Sequence, residues 1–196
     1  AALLQAIGVE KAAMAPTAEG LFFPDTYKYA PNTSDLQILQ QSYQTMQRKL
    51  ESAWSGRADG LPLQTPYDLL KLASIIEKET GYESDRPIVS AVMINRLRIN
   101  MRLQTDPTVI YGIKDRYDGN IRKADLQDDN PYNTYVIDGL PPTPIAMPSK
   151  EAIQAALHPK ASQYLYFVAK GGGEHHFSRT LSEHNSAVRR YILGRS

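Results

Sequence analysis

Glu77 and Glu79 stand near the end of a segment, Pro66 to Thr80, whose apolar residues recur with helical spacing. At ~100° per residue, Leu69, Leu70, Leu72, Ala73, Ile75 and Ile76 fill one broad arc, and Lys71, Ser74 and Lys78 fall opposite as a solvent face. Glu79 lands between Ile75 and Leu72, and Glu77 between Ala73 and Leu70, so both carboxyls flank a face that must be buried. A buried carboxylate is costly unless it is paired, hydrogen-bonded or protonated. Burial raises a carboxyl pKa, and so does the negative end of a helix dipole. Glu79, in the last turn before Gly81, can feel both. A carboxyl that keeps its proton near neutrality is what a general acid requires. The competing reading is structural, with one or both glutamates in internal ion pairs to Arg86, Arg96 or Arg98.

Two further polar groups stand out. Gln104, Thr105 and Asp106 end an extended piece, Met101 to Gln104, and enter a turn with Pro107 at its first position. They can bind a ligand or cap that turn. Tyr132, Asn133 and Tyr135 lie in the helix-poor stretch 112–149 and offer stacking faces and an amide, or loop packing. Metal binding is not expected. His175 and His176 are adjacent and would point to opposite faces of a strand, His158 precedes Pro159 at a helix end, and no His-x-x-x-His pair exists. Gly171-Gly172-Gly173 reads as a hairpin turn, since the pattern of a phosphate loop is missing, and Arg189-Arg190 as a solvated face.

The elements that position these residues follow from caps and periodicity. A short helix is expected over Ala1–Met14, then an ordered turn around Glu19–Tyr27, and a helix from Leu36 to Trp54. Gly56–Leu63 is the best candidate boundary, giving an N-terminal region 1–64 and a second domain 65–196. Thr65, Pro66 and Asp68 announce the next helix, with Gly81 as its stop. Further helices are expected over Asp85–Ile99, from Ser149 through Lys150–Leu157, and from the Thr180/Glu183 capping box to Leu193. Tyr164–Ala169 and Glu174–Ser178 should pair as a hairpin. The fold class is α+β, mostly helical with a small β-sheet.

Composition narrows the function. The 196 residues carry 22 Lys+Arg against 21 Asp+Glu, a balance that argues against a dedicated nucleic-acid binder. There is no cysteine, which excludes disulfides, thiolate metal sites and a Cys nucleophile. No stretch approaches the ~18 apolar residues of a membrane span.

Leu72-Ala73-Ser74-Ile75-Ile76-Glu77-Lys78-Glu79-Thr80 resembles the signature of the YceG-like family of endolytic murein transglycosylases. Further stretches carry the resemblance in order: Glu19-Gly20 with Phe23-Pro24-Asp25-Thr26-Tyr27, Ile94-Asn95-Arg96-Leu97, Met101 to Gly112, Tyr132-Asn133-Thr134-Tyr135, Gly139-Leu140-Pro141-Pro142, Tyr164 to Val168, His176-Phe177-Ser178 and His184-Asn185. The resemblance implies a lysozyme-like transglycosylase catalytic domain, preceded by the remainder of a helical or LysM-like region. It implies that peptidoglycan glycan strands are cut between N-acetylmuramic acid and N-acetylglucosamine, leaving 1,6-anhydro ends, with no cofactor. A Glu followed by a small hydroxyl residue at a helix end is the family's acid. Glu79-Thr80 fits, with Glu77 as the alternative, and Gln104, Thr105, Asp106, Tyr132, Asn133 and Tyr135 are the substrate-binding candidates. The resemblance also implies a bacterial inner-membrane protein with a single upstream anchor, its catalytic domain facing the periplasm, and a peptidoglycan synthase as partner. Two alternatives stand beside it. One is a non-catalytic glycan-binding scaffold. The other is a pyridoxal-phosphate aminodeoxychorismate lyase, which lacks support because Lys71 and Lys78 fall on the polar face and no phosphate cup precedes a helix.

Overall fold

The computed structural model describes residues 2–9 and 17–194. Its elements run α1 (Ala2–Ala6), α2 (Asp35–Ser55), α3 (Pro66–Glu79), α4 (Arg86–Arg98), α5 (Asp106–Gly112), α6 (Lys150–Leu157), β1 (Tyr166–Gly171), β2 (Glu174–Ser178) and α7 (Leu181–Tyr191). Two single 3-10 turns, Lys114–Arg116 and Asp125–Gln127, punctuate the long loop after α5. The α+β class expected from the sequence is observed.

Local chemistry explains most boundaries. Ser34 with Gln37, Thr65 with Asp68, and Thr180 with Glu183 form reciprocal capping boxes at α2, α3 and α7, and the Ser149 hydroxyl accepts from Ala152 N–H to open α6. α1 is shorter than expected. Gly8 takes a left-handed conformation, and the Gly8 and Val9 N–H groups close back onto the Gln5 and Leu4 carbonyls. The remainder of that expected helix, from Glu10, lies outside the described residues. Gly81 is not the stop of α3. Thr80 turns to extended backbone at φ −145°, ψ 129°, so Glu79 is the last helical residue.

The core is centred on α3, which buries Leu69, Leu70, Leu72, Ala73, Ile75 and Ile76. α6 crosses it, presenting Ala152, Ala155 and Ala156, small side chains that let two helices approach closely. Met46 and Leu50 of α2, Val89 and Met93 of α4, and Leu4 and Ile7 of the N-terminal turn join the same apolar cluster. The Leu21-Phe22-Phe23 stretch is buried as well, held by a Ser42 hydroxyl donating to the Phe23 carbonyl and by Phe23 N–H donating to the Ser42 carbonyl. Gly20, at φ +78°, lies so close to Pro144 that a Cβ there would stand 2.4 Å from the Pro144 Cβ. That contact ties the 19–27 turn to the proline-rich loop.

Ser74 corrects the helical reading. It is fully buried rather than solvent-facing, because the 139–146 loop folds back over that side of α3. Its hydroxyl donates to the Lys71 carbonyl at 2.7 Å and accepts from Ile145 N–H at 3.0 Å.

β1 and β2 form one antiparallel hairpin, with Phe167 opposite Phe177 and Ala169 opposite His175, and a bulge before the glycine turn. The two adjacent histidines do face opposite ways. His175 meets Phe167 edge-on, while His176 packs on Tyr191 of α7.

Ser74→Ala is expected to orphan a buried backbone N–H and to cost about 1–3 kcal/mol. Thermal or urea unfolding reads that loss, and an unchanged midpoint would refute the role given to the hydroxyl.

Candidate active site

Glu77 and Glu79 are two residues apart on a helix, so their side chains leave in nearly opposite directions. The Glu77 carboxylate accepts from Ser149 N–H at 3.0 Å and from the Ser149 hydroxyl, which places its charge at the start of α6. This is a helix-to-helix clasp, favoured by the dipole of α6. Glu79 goes the other way, into a cleft of about 410 Å³. Among the described residues, neither glutamate makes an ion pair with Arg86, Arg96 or Arg98, and no hydrogen-bond donor reaches Glu79.

The cleft brings together distant parts of the chain. Glu79 comes from the end of α3, Arg96 from α4, Leu103, Gln104 and Asp106 from the segment entering α5, and Tyr135 from the long loop. The opposite side is β1 from Tyr166 to Ala169, His175 of β2, and Leu181 and His184 of α7.

Electrostatics mark Glu79 within this group. Its pKa is pushed up to about 8, first by burial and second by the negative charge of Asp106, with the Arg96 cation pulling the other way. The protonated form of Glu79 is therefore favoured at neutral pH. Asp106 is held by the Tyr135 hydroxyl, which donates to it at 2.7 Å. The Tyr135 phenol is itself driven far up its range by burial, with the Asp106 contact next, so it stays a donor.

Arg96 is buried yet makes no ion pair. Its Nε donates to the Leu165 carbonyl at 2.6 Å, and its Nη1 donates to the Leu103 and Arg102 carbonyls at 2.7 and 3.2 Å. Its guanidinium also lies 5.2 Å from the centre of the Tyr166 ring. His184 stacks on the other side of this assembly, 5.3 Å from Tyr166, and burial followed by Arg96 lowers its pKa. Asp85 fixes the far wall, accepting from His175 N–H at 2.8 Å with the ring Nδ1 at 3.1 Å.

Of the residues singled out from sequence, Glu79, Gln104, Asp106 and Tyr135 are brought into one cleft. Thr105, Tyr132 and Asn133 do not line it. Thr105 is buried in a hydroxyl cluster with Thr108 and Thr134, which also accepts Thr105 N–H. Asn133 spends its amide on the Asp125 and Asp128 carbonyls and accepts from Tyr135 N–H, thereby aiming Tyr135. Tyr132 packs on Tyr111 and shares a hydrogen bond with Thr143. These three hold the loop that presents the others. Gln104 owes its position to a left-handed backbone, φ +51°, with its N–H on the Thr134 carbonyl.

The cleft residues missed in the sequence include Tyr166, His175, Leu181 and His184, together with Arg96 as anything more than an ion-pair partner. A signal existed for Arg96, because an arginine on the buried side of α4 needs acceptors. Among the described residues, no three His, Asp or Glu side chains converge to hold a metal ion, and no helix is long and apolar enough to cross a membrane.

Comparison with known proteins adds an independent line. The model of the YceG-like family matches residues 1–190. The endolytic murein transglycosylase of Bacillus subtilis is 40% identical over 179 residues, covering 91% of this chain and 49% of that protein. Its counterpart in Streptococcus pneumoniae serotype 2 is 29% identical over 197 residues, covering 97% of this chain and 35% of that protein. The crystal structure of a yceG-like protein from Listeria monocytogenes superposes with a TM-score of 0.77 at 34% identity, covering 95% of this chain and 62% of that one. The chain thus spans about half the length of the first of these relatives and a smaller share of the second. With its fold shared and nearly its whole length matched, the chain belongs to the YceG-like family.

Proposed function

We propose that this chain is the catalytic part of an endolytic peptidoglycan lytic transglycosylase, with Glu79 as general acid and then general base. The observation that carries the reading is a carboxyl in a half-buried cleft wall with no hydrogen-bond donor to stabilise its charge, which raises its pKa. The name borne by the Bacillus and Streptococcus relatives supports the substrate class.

In this reaction, Glu79 gives its proton to the glycosidic oxygen between N-acetylmuramic acid and N-acetylglucosamine as the bond to the muramyl C1 breaks. Positive charge develops on the muramyl ring, and the Asp106 carboxylate lies on the same cleft to favour it. The Glu79 carboxylate then takes the proton of the muramyl 6-hydroxyl, whose oxygen closes on C1. The products are a 1,6-anhydro end and a free N-acetylglucosamine 4-hydroxyl. Glu79 ends protonated and no water is consumed. A single carboxyl suffices because the nucleophile belongs to the substrate, unlike the paired carboxyls of ordinary glycosidases. Gln104 and Tyr135 are the polar groups placed to hold sugar hydroxyls and acetamido groups, while Thr105, Tyr132 and Asn133 position the loop.

The presence of Asp106 beside Glu79 favours one second reading, hydrolysis with two carboxyls, which would leave reducing ends. The resemblance extends the first reading to a lysozyme-like catalytic domain over 65–196, a LysM-like remainder within 1–64, a single upstream membrane anchor with the domain in the periplasm, and a synthase partner.

Digestion of purified glycan strands, with mass analysis of the ends, tests the reading. The wild type should release anhydro ends, and Glu79→Gln should lose about 10²–10⁴-fold in rate. Reducing ends would establish hydrolysis instead, and turnover undiminished in Glu79→Gln would remove Glu79 from the chemistry.

The pH profile has a defined sign. The rate should fall as pH rises through about 8, where Glu79 loses its proton. Asp106→Asn removes the charge that raises this pKa, so the falling limb should move to lower pH; a shift upward would contradict the assignment.

Stability follows the same linkage. A carboxyl whose pKa is raised in the folded state binds its proton more tightly there, so stability is lost as pH climbs from the unfolded value through about 8. Glu79→Gln should therefore melt higher than wild type above pH 8, with the difference shrinking towards pH 4. Equal gains at both ends would argue against a buried, proton-linked group.

A further inference from the structure

Beside the cleft lies a second, larger recess of about 790 Å³. The two hollows are lined by consecutive residues of the same two helices. Glu79 and Asp106 face the cleft, whereas Lys78 and Pro107 face the recess. The recess also carries Lys114, Ile110, Met147 and the half-buried Glu19.

Among the described residues, Lys78, Lys114 and Glu19 make no ion pair. Among the described residues, the other close ion pairs join Lys71 to Asp68, Arg102 to Asp138, Arg116 to Asp125 and Asp128, Arg122 to Asp118, and Lys170 to Glu174. Lys78 and Lys114 are exposed and belong to none of these. Lys114 Nζ lies 5.1 Å from the centre of the Tyr111 ring, which lines the same recess. Glu19 has no ion pair either, whereas Glu77 on the same wall is occupied by Ser149. Glycan stripped of its peptides keeps a single carboxylate per muramyl ring, on the lactyl group, and offers no amine. A short peptide with carboxylates, an amine and small apolar side chains matches the two lysines, Glu19 and the apolar lining, with Glu77 a further anion held by Ser149.

The substrate chemistry supplies such a peptide. The bond in question leaves from C1 of a muramyl ring, and the same ring bears, through the lactyl ether on C3, the stem peptide. That peptide must start within one sugar ring of Glu79, and five extended residues reach no more than ~18 Å. We propose that the recess lined by Lys78, Lys114 and Glu19 receives the stem peptide of the muramyl residue at the cut. The proposal rests on the glycan-cutting reading of the cleft. Lys78 and Lys114 pair with peptide carboxylates, Glu19 with the side-chain amine of the third residue, and Ile110 and Met147 cover the alanine methyls.

Binding separates this proposal from the catalytic one. Short glycan fragments carrying stem peptides, and the same fragments stripped by an amidase, are titrated into the Glu79→Gln chain, which does not turn them over. The peptide-bearing fragments should bind about three- to tenfold tighter, the scale of one or two partly exposed ion pairs. The ratio should fall to near one in Lys78→Ala/Lys114→Ala, fall in Lys114→Glu alone, and survive in Lys78→Arg/Lys114→Arg. A ratio near one in the parent, or one unmoved by both the alanine pair and Lys114→Glu, overturns the proposal. If the ratio behaves as expected while the chain with Glu79 intact cuts neither kind of strand, the peptide recess stands and the transglycosylase reading falls.

Discussion

A carboxyl group kept in a poorly hydrated wall, with no donor to satisfy its charge, is the constraint around which this molecule is arranged. Ionising Glu79 there is unfavourable, so the group holds its proton to about pH 8. Such a site needs rigid surroundings, because any reorganisation that let water or a donor reach the carboxyl would restore an ordinary acid. α3 supplies the rigidity. Its apolar face is the centre of the core, and its last helical residue is Glu79 itself. Thr80 then leaves the helix in extended form, so the acid is fixed at the end of a buried rod rather than on a loop.

The polar residues around the cleft divide into two sets by what their hydrogen-bonding atoms already do. Thr105, Thr108, Thr134 and Asn133 have theirs consumed internally, and together they lock the segment entering α5 to the long loop. Gln104, Asp106 and Tyr135 emerge from that locked frame into the cleft. Asp106 also has a partner, the Tyr135 hydroxyl that donates to it, and it is the second cause, after burial, of the raised Glu79 pKa.

Much of this was legible in the sequence, and the reasons differ by residue. The capping boxes at Thr65 and Thr180 and the Ser149 cap are local signals, and they set the starts of α3, α7 and α6 as expected. The helical wheel placed both glutamates correctly on the flanks of the buried arc. It could not tell which flank met a cleft and which met the cap of α6, because that depends on where Ser149 returns from more than seventy residues away. Ser74 was misread for the same reason: the loop that buries it is remote in sequence. Thr105, Tyr132 and Asn133 looked like binding groups because a polar side chain in a loop carries no mark of whether its partners are internal. The hairpin was visible as two strands and a glycine turn, but nothing in its alternation announced that Tyr166 and His175 would close the far side of the site.

Arg96 gives the groove its gauge. One edge of its guanidinium grips the Leu165 carbonyl just before β1, and another grips the carbonyls of Arg102 and Leu103 on the facing bank. The spacing between banks is therefore set by a single flat, stiff plate. Neither side can drift outward without tilting that plate and pulling on the other. The channel behaves as a caliper set to one width, and a flexible lysine at the same place would leave it as a pair of loose jaws.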